Sequence, residues 1–243
     1  MYELQGTVPA GIVVPVYGPH LRMQATEGCT SRRPVRLRFA LFSAVAMTGR
    51  LRSPDEMKRA LRLQAQDARR DAHARLRRTA GVHIAEAFLA AVAWRPGQVV
   101  AGYWPIGDEV DDRPLLERLS RLGCIAALPV VLRKHAALAF RRWAPGDPLE
   151  AGPHGTRHPS VAASEVVPDL LLVPLLGFDR RGARLGYGGG YYDRSLESLR
   201  ARRSVSAVGL GYAAQEFASL PCEGHDQRLD WIVTENGAWE ALP

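Results

Sequence analysis

The chain has 243 residues, of which 47% are hydrophobic and 23% are charged, and its formal net charge at pH 7 is +7. This length suits one sizeable α/β core, or one core with an appendage, and the composition is ordinary for a globular protein. No segment approaches the run of about 18 apolar residues that a membrane-spanning helix needs, so no membrane partner is expected. The positive charge favours anionic partners, which include nucleotides, phosphorylated or polyglutamylated metabolites, and nucleic acid.

The three cysteines, Cys29, Cys124 and Cys222, lie far apart in the sequence. They form neither a disulfide framework nor a C-x-x-C metal motif, which fits a reducing compartment. Residues 39–47 follow several arginines and imitate the apolar part of a secretion signal, but this tract begins far from Met1. We therefore predict a cytoplasmic protein.

Residues 1–50 contain scattered prolines and glycines and no sustained helical or strand period. We predict a poorly ordered extension there, and a start codon assigned too far upstream would explain it. A single folded domain is predicted over residues 51–243. Its first helix begins at Ser53-Pro54-Asp55-Glu56, where a capping serine precedes proline at the first helical position and glutamate at the third.

The first helix is predicted to be long, amphipathic and basic. Its apolar residues recur at helical spacing at positions 57, 61, 65, 68, 72 and 76. The other faces carry Lys58, Arg59, Arg62, Arg69 and Arg70, and we expect most of these arginines to face solvent. A second helix is predicted over residues 83–94, before the Arg95-Pro96-Gly97 turn.

Strands and helices then alternate along the chain. Strands are predicted at residues 99–104, 124–131, 138–143, 169–173, 206–210 and 231–234, and helices at 114–122 and 191–200. This alternation predicts a three-layer α/β/α fold with a largely parallel central sheet. Ligands of such sheets bind beyond the carboxyl ends of the strands.

A glycine-rich run at residues 184–193, Arg-Leu-Gly-Tyr-Gly-Gly-Gly-Tyr-Tyr-Asp, follows the strand at 169–173 and precedes a helix. Glycines let backbone N–H groups form an anion-binding concavity, Arg184 can add a contact to a phosphate oxygen, and Asp193 can hold Mg²⁺. The spacing is neither that of a P-loop nor that of a dinucleotide-binding loop. The alternative interpretation is a flexible turn, but the added arginine, tyrosines and acid favour a phosphate site.

A second candidate site follows the strand at residues 99–104. Tyr103 and Trp104 can stack a flat heterocycle, and Glu109 can accept hydrogen bonds from its amino or ring N–H groups. The alternative is a core aromatic residue followed by a solvated acidic loop. Composition alone favours that alternative.

Together these segments resemble the 5-formyltetrahydrofolate cyclo-ligase family, also called 5,10-methenyltetrahydrofolate synthetases, over residues 57–235. The most specific block is residues 174–194, and weaker blocks are 58–62, 103–111, Trp143 with Pro145-Gly146, and 226–235. The resemblance implies an ATP-dependent ligase with Mg²⁺. In that reaction ATP phosphorylates the formyl oxygen of 5-formyltetrahydrofolate, the neighbouring aryl nitrogen attacks the activated carbon, and 5,10-methenyltetrahydrofolate, ADP and phosphate result.

The resemblance also implies roles for individual residues. Arg184 and Tyr192 correspond to catalytic positions, and Asp193 and Asp226 to acids associated with Mg²⁺. ATP-binding positions are Lys58, Arg59, Arg62, Arg184, Leu185, Gly186, Tyr187, Gly188, Gly189, Gly190, Tyr191 and Tyr192. Positions that contact the folate are Trp104, Glu109, Tyr187, Gly188, Gly189, Gly190 and Tyr191.

Two features depart from the family. Residues 155–159 read Gly-Thr-Arg-His-Pro where many relatives carry G-I-x-E-P, and the extension has no counterpart. Two alternative functions remain open: a nucleic-acid-binding protein that keeps the fold without catalysis, and another ATP-dependent ligase or kinase. No basic stretch is interleaved with aromatic residues of the kind that stack bases, which argues against nucleic acid.

Overall fold

The computed structural model describes residues 54–242. The predicted N-terminal extension, residues 1–50, lies outside the described residues. The upstream start codon offered as its explanation concerns the same residues. Within this range the α-helices are α1 (Pro54–Leu76), α2 (Ala80–Ala91), α3 (Arg113–Arg121) and α4 (Tyr191–Arg200). Proline opens α1 as predicted, because its missing N–H and fixed φ suit the first helical position. None of these helices combines the length and the apolarity needed to cross a bilayer.

The same range contains eleven strands, several of them very short. In chain order they are β1 (Val99–Ala101), β2 (Ile125–Val130), β3 (Ala139–Arg142), β4 (Leu149–Ala151), β5 (Arg157–Pro159), β6 (Leu170–Pro174), β7 (Gly177–Phe178), β8 (Arg184–Leu185), β9 (Ser206–Leu210), β10 (Trp231–Thr234) and β11 (Gly237–Glu240). Seven of them form one sheet in the order β11-β10-β9-β6-β1-β2-β3, and β4-β5 and β7-β8 are separate hairpins.

The predicted three-layer fold with a largely parallel sheet is confirmed. Strands β10, β9, β6, β1 and β2 run parallel to one another, and the edge strands β3 and β11 pair antiparallel with β2 and β10. Strand β6 shows why the sheet needs a layer on each side. Leu170 and Leu172 pack with α2 and α3, whereas Leu171 and Val173 pack on the opposite face with Leu196 of α4.

The hairpin β7-β8 was not predicted, because strands of two residues are too short to show a period. It corrects the expectation that the strand at residues 169–173 leads directly into the glycine-rich run. The chain leaves β6, forms the hairpin, and enters the run from β8 at Arg184–Leu185. On its apolar side the hairpin contributes Leu185 to a small cluster with Ala65 of α1.

The basic side chains of helix α1 differ in exposure. Arg59 and Arg70 are exposed as expected, but Arg69 is 3% exposed. Lys58, which the resemblance assigned to nucleotide binding, is 6% exposed. Met57, expected on the apolar face, is 41% exposed. The exposure expected for most of these arginines is therefore wrong for Arg69, because the face of α1 that carries Ala65 packs against the β7-β8 hairpin and places basic side chains inside the protein.

Candidate active site

One cavity of about 870 Å³ brings the two predicted sites together. Its lining includes most of the predicted site residues: Lys58, Arg62, Trp104, Glu109, all of residues 184–193, and Asp226. Arg59 is exposed and is absent from the lining. The cavity lies at the carboxyl ends of β1, β2 and β6, since Tyr103, Val131 and Pro174 also line it, and this is the position expected for a ligand of a parallel sheet.

The glycine-rich run joins β8 to the N-terminus of α4 and requires glycine at two positions. Gly188 has φ +93° and Gly190 has φ +64°, both in the left-handed region. Arg194 donates a 2.6 Å hydrogen bond from Nη2 to the Gly189 carbonyl, and a Cβ at position 190 would lie 2.6 Å from Arg194 Nη1. The run and the first turn of α4 both line the cavity, so the positive end of the α4 dipole lies at the cavity, as anion binding requires.

Two basic side chains of α1 reach this run and the segment near residue 225. Arg62 donates from Nε to the Gly186 carbonyl at 2.9 Å. Lys58 donates from Nζ to Glu223 at 2.6 Å and to Asp226 at 2.7 Å. Burial acts to lower the pKa of Lys58, but the hydrogen bonds to Asp226 and Glu223 outweigh it and raise that pKa. The ammonium is thus charged at neutral pH.

Arg184 is held by two partners on the cavity wall. Its Nη2 donates to Asp193 Oδ1 at 2.6 Å, and its Nη1 donates to the Gln227 carbonyl. The same Asp193 oxygen accepts from the Gln227 N–H at 3.0 Å. Burial lowers the pKa of Arg184, and the neighbouring Asp193 opposes this effect. A guanidinium does not lose its proton in proteins, so Arg184 remains a cation that can contact phosphate.

A group of possible metal ligands lies beside Lys58. Within the described part of the chain, ligand atoms of Glu223, His225 and Asp226 all lie within 4.8 Å of one another. Asp193, predicted with Asp226 as a metal-associated acid, is not a member of this group and is instead bonded to Arg184. Glu223 and His225 were missed, although the short run Glu223-Gly224-His225-Asp226 was a signal available in the sequence.

The aromatic and acidic part of the lining comes from the segment after β1. The Trp104 ring lies edge-on to Trp143 at 6.5 Å between centroids, and Arg113 lies 5.1 Å from its centre. Tyr103 also reaches the cavity but is 3% exposed, and its hydroxyl donates to Val110 O at 2.9 Å. Tyr103 is thus largely a core residue, whereas Trp104 is half-buried and available to stack on a ligand.

Glu109 is buried, with 7% of the residue exposed. Its Oε2 accepts a 2.9 Å hydrogen bond from Ile106 N–H, which orients the carboxyl group. Burial raises the pKa of Glu109, while the Ile106 N–H and Arg69 oppose this effect. The carboxylate therefore has unused acceptor capacity inside a cavity, which suits recognition of ligand N–H groups.

The tyrosines of the run differ in environment. Tyr187 is 59% exposed and its hydroxyl accepts a hydrogen bond from Arg69, and Arg194 lies 5.5 Å from the centre of the Tyr191 ring. Burial raises the pKa of Tyr192 well above its ordinary value, so its phenol is neutral and can donate a hydrogen bond. The altered loop at residues 155–159 includes β5, and Thr156 and Arg157 of this loop line the cavity.

The fold and the site define an α/β protein in which one cavity is lined by a glycine-rich run with basic side chains and, beside it, by aromatic and acidic side chains. Residues 54–235 match the 5-formyltetrahydrofolate cyclo-ligase family. The chain belongs to this family, as its sequence predicted, and it is a ligase.

Relatives of known name agree with this assignment. The chain is 33% identical to the 5-formyltetrahydrofolate cyclo-ligase of Haemophilus influenzae over 147 residues, which is 58% of this chain and 78% of that protein. It is 34% identical to the Escherichia coli enzyme of the same name over 146 residues, or 58% of this chain and 80% of that protein. The solved 5,10-methenyltetrahydrofolate synthetase of Aquifex aeolicus superposes with a TM-score of 0.64 at 29% identity, covering 77% of this chain and 94% of that one.

Proposed function

We propose that the protein catalyses the ATP-dependent cyclisation of 5-formyltetrahydrofolate to 5,10-methenyltetrahydrofolate, with release of ADP and phosphate. The observation that carries this proposal is that one cavity contains both the glycine-rich run with its cations and the Trp104–Glu109 segment. The two substrates can therefore bind with their reacting groups adjacent. Such positioning is the main catalytic contribution that phosphoryl transfer requires.

The nucleotide side is assigned to the run and to α1. The backbone N–H groups of residues 186–190 and the N-terminus of α4 would bind phosphate oxygens. Arg184, Lys58 and Arg62 would neutralise the charge that develops as the γ-phosphoryl group is transferred. Arg59, which is exposed and lies outside the lining, is assigned at most a peripheral contact with the nucleotide.

The folate side is assigned to the segment after β1 and to the tyrosines of the run. Trp104 and Tyr187 would pack on the flat pterin ring, and Glu109 would accept hydrogen bonds from its amino and ring N–H groups. A folate tail that carries one or more glutamates is the expected form of the substrate.

The chemistry balances without a protein nucleophile. The formyl oxygen bonds to the γ-phosphorus of ATP while the bond from that phosphorus to ADP breaks. The neighbouring aryl nitrogen then forms the new C–N bond, its proton passes to solvent, and the C–O bond breaks with phosphate as the leaving group. Arg184 and the neutral hydroxyl of Tyr192, which both line the cavity, would hold the transferred phosphoryl group during both steps.

Mg²⁺ is the proposed cofactor, and the residues present fit it in one respect. Glu223 and Asp226 offer carboxylate oxygens, which this ion prefers, on the wall of the same cavity. Asp193 has a second carboxylate oxygen that Arg184 does not use. When bound, the ion would neutralise phosphate oxygens of the nucleotide.

The deciding experiment follows the near-ultraviolet absorbance of methenyltetrahydrofolate while purified protein is mixed with 5-formyltetrahydrofolate, Mg²⁺ and ATP. A rise in absorbance that requires ATP is expected. No rise with folded protein, in an assay verified with a known cyclo-ligase, would refute the proposal. Salt-dependent RNA binding without ATP turnover would then favour the nucleic-acid alternative. Turnover of ATP with a different co-substrate would favour another ligase or kinase.

A further inference from the structure

Arg69 of α1 lies buried between two segments that line the cavity. Its guanidinium donates from Nη2 to the Asp108 carboxylate and to the Tyr187 hydroxyl. The side chain is 4% exposed, although the helical pattern placed it on the solvent side. A buried arginine needs such partners, because an unpaired charge inside a protein is costly.

Two further contacts surround the same guanidinium. Its central carbon lies 5.4 Å from the centre of the Tyr187 ring, within the range of a cation–π interaction. Its Nη1 lies 3.9 Å from Glu109 Oε1, which is an ion-pair distance too long for a hydrogen bond. Arg69 thus contacts the glycine-rich run on one side and the Asp108–Glu109 pair on the other.

The hydrogen bonding of Arg69 is incomplete. Among the described residues, its buried Nε and Nη1 atoms have no hydrogen-bond partner. Buried donors are normally paired, so each of these two atoms can still donate a hydrogen bond to an acceptor that moves closer. A shift of less than about 1 Å would let Nη1 donate to the Glu109 carboxylate.

We propose that Arg69 is a positioning residue. It connects Tyr187 of the glycine-rich run to Asp108 and Glu109, and so fixes the position of the nucleotide side of the cavity relative to the folate side. Arg69 itself is absent from the cavity lining and acts through Tyr187 and Glu109. The kinetic consequence rests on the proposed function, whereas the restraint on the run does not depend on which substrates bind.

The test compares Arg69→Met with Arg70→Met in the full chain. Methionine keeps the apolar stem and removes the charge. Arg70 is the matched control because its side chain is 67% exposed and forms an ion pair with nearby Asp67. We expect Arg69→Met to raise the KM for 5-formyltetrahydrofolate by about 10-fold or more, and the KM for ATP by less, since a buried charged contact is lost. Arg70→Met should change both KM values by less than about twofold. Arg69→Lys, which restores the charge, should have a folate KM between those of the wild type and Arg69→Met.

Hydrogen exchange without substrates provides an arm that does not depend on activity. The amides of residues 186–190 should exchange faster in Arg69→Met than in the wild type, and at the wild-type rate in Arg70→Met. If the wild type does not cyclise the folate, the proposed function is refuted. Faster exchange in Arg69→Met would still support the restraint that Arg69 places on residues 186–190.

The inference is overturned if folded Arg69→Met keeps both the wild-type folate KM and the wild-type exchange rate in this run. A lower melting temperature with neither of those changes would show that Arg69 has only a structural role. Should Arg69→Met not fold, Tyr187→Phe decides. This variant removes one hydrogen bond and keeps the ring, and unchanged exchange in it would refute the restraint.

Discussion

Arg184 Nη2 and Asp193 Oδ1 lie 2.6 Å apart, so an ion pair joins the first residue of the glycine-rich run to the first turn of α4. Both side chains are shielded from solvent, with 7% of Arg184 and 23% of Asp193 exposed. The pair joins the two ends of the run and fixes the position of the Arg184 guanidinium at the point where the run begins. In the proposed reaction this cation would contact the phosphate, and a cation held in place beforehand is the condition for effective electrostatic stabilisation.

Replacement of Arg184 by alanine should impair turnover severely. We expect kcat/KM to fall by about 10²- to 10³-fold, because a preorganised cation beside the transferred phosphoryl group is lost. Arg184→Lys should retain part of the activity, since it restores the charge but not the paired geometry. Steady-state kinetics with both substrates measure this effect.

The matched control is Arg180→Ala, four residues earlier in the chain. Arg180 forms an exposed ion pair with Glu216, away from the cavity lining, and its removal should leave kcat/KM near the wild-type value. If Arg184→Ala resembles Arg180→Ala in activity, Arg184 does not belong to the site.

Glu109→Gln should affect use of the folate more than use of ATP. The amide oxygen of glutamine can still accept the hydrogen bond from Ile106 N–H, so the loop should keep its shape. Loss of the carboxylate should raise the KM for the folate by about 10-fold or more, while the KM for ATP changes little. Glu117→Gln on α3, whose side chain is 43% exposed, is the control. Equal folate kinetics in both variants would contradict the proposed role of Glu109.

Gly190→Ala should destabilise the protein. A non-glycine residue at φ +64° costs about 1 to 2 kcal/mol, and the added Cβ would displace the Arg194 guanidinium from its bond to Gly189 O. Gly186→Ala is the stability control, because no atom lies within 4 Å of a Cβ there and φ is not positive. Urea unfolding compares the two variants. Equal free energies of unfolding would show that the left-handed conformation at position 190 is unimportant.

Asp112→Asn should stabilise the protein at neutral pH. Asp112 is fully buried, its Oδ2 accepts from Tyr103 N–H at 2.9 Å, and its Oδ1 has no hydrogen-bond partner among the described residues. Burial raises the pKa of Asp112 well above its ordinary value. The folded state therefore holds this proton more tightly than the unfolded state, and the associated stability is present at low pH and lost as pH rises through the folded-state pKa.

Asparagine is neutral at every pH, so the gain in free energy of unfolding from Asp112→Asn should grow as pH rises. We expect the free energy of unfolding of Asp112→Asn to exceed that of the wild type by about 1 kcal/mol or more near pH 7 and to equal it near pH 3. Thermal melts across this range measure the difference, with Asp111→Asn as the control for a partly exposed ion pair with Arg113. An advantage that is constant with pH would disprove the explanation based on the buried proton.

Local signals in the sequence were sufficient for most of the fold. The bounds of α4, β9 and β10 match their predicted ranges, because apolar period and flanking turn residues act over only a few positions. The edge strand β11 and the β4-β5 and β7-β8 hairpins were missed. Their strands of two to four residues form only where a partner strand is present, and a partner is not a local property.

The glycine-rich run was recognisable from residue type, whereas Trp104 and Glu109 were assigned through the family resemblance, and the cavity contains all of them. The grouping of Glu223 and His225 with Asp226, and the contact of Lys58 with two of these residues, became visible only in the folded chain. Lys58 and Asp226 are separated by 168 positions. No spacing rule covers such a distance, because the approach depends on how α1 packs against the rest of the domain.

The sequence by itself determined the layered α/β architecture, the glycine-rich loop and the family, since these depend on period, turn residues and a specific local motif. Only the tertiary structure decided which face of α1 is covered. Arg69 and Arg70 are neighbours of the same type, yet one side chain is 4% exposed and the other 67%. Helical spacing places them about 100° apart around the axis, and the packing of the glycine-rich run and the Asp108–Glu109 loop onto α1 selects the one that is buried.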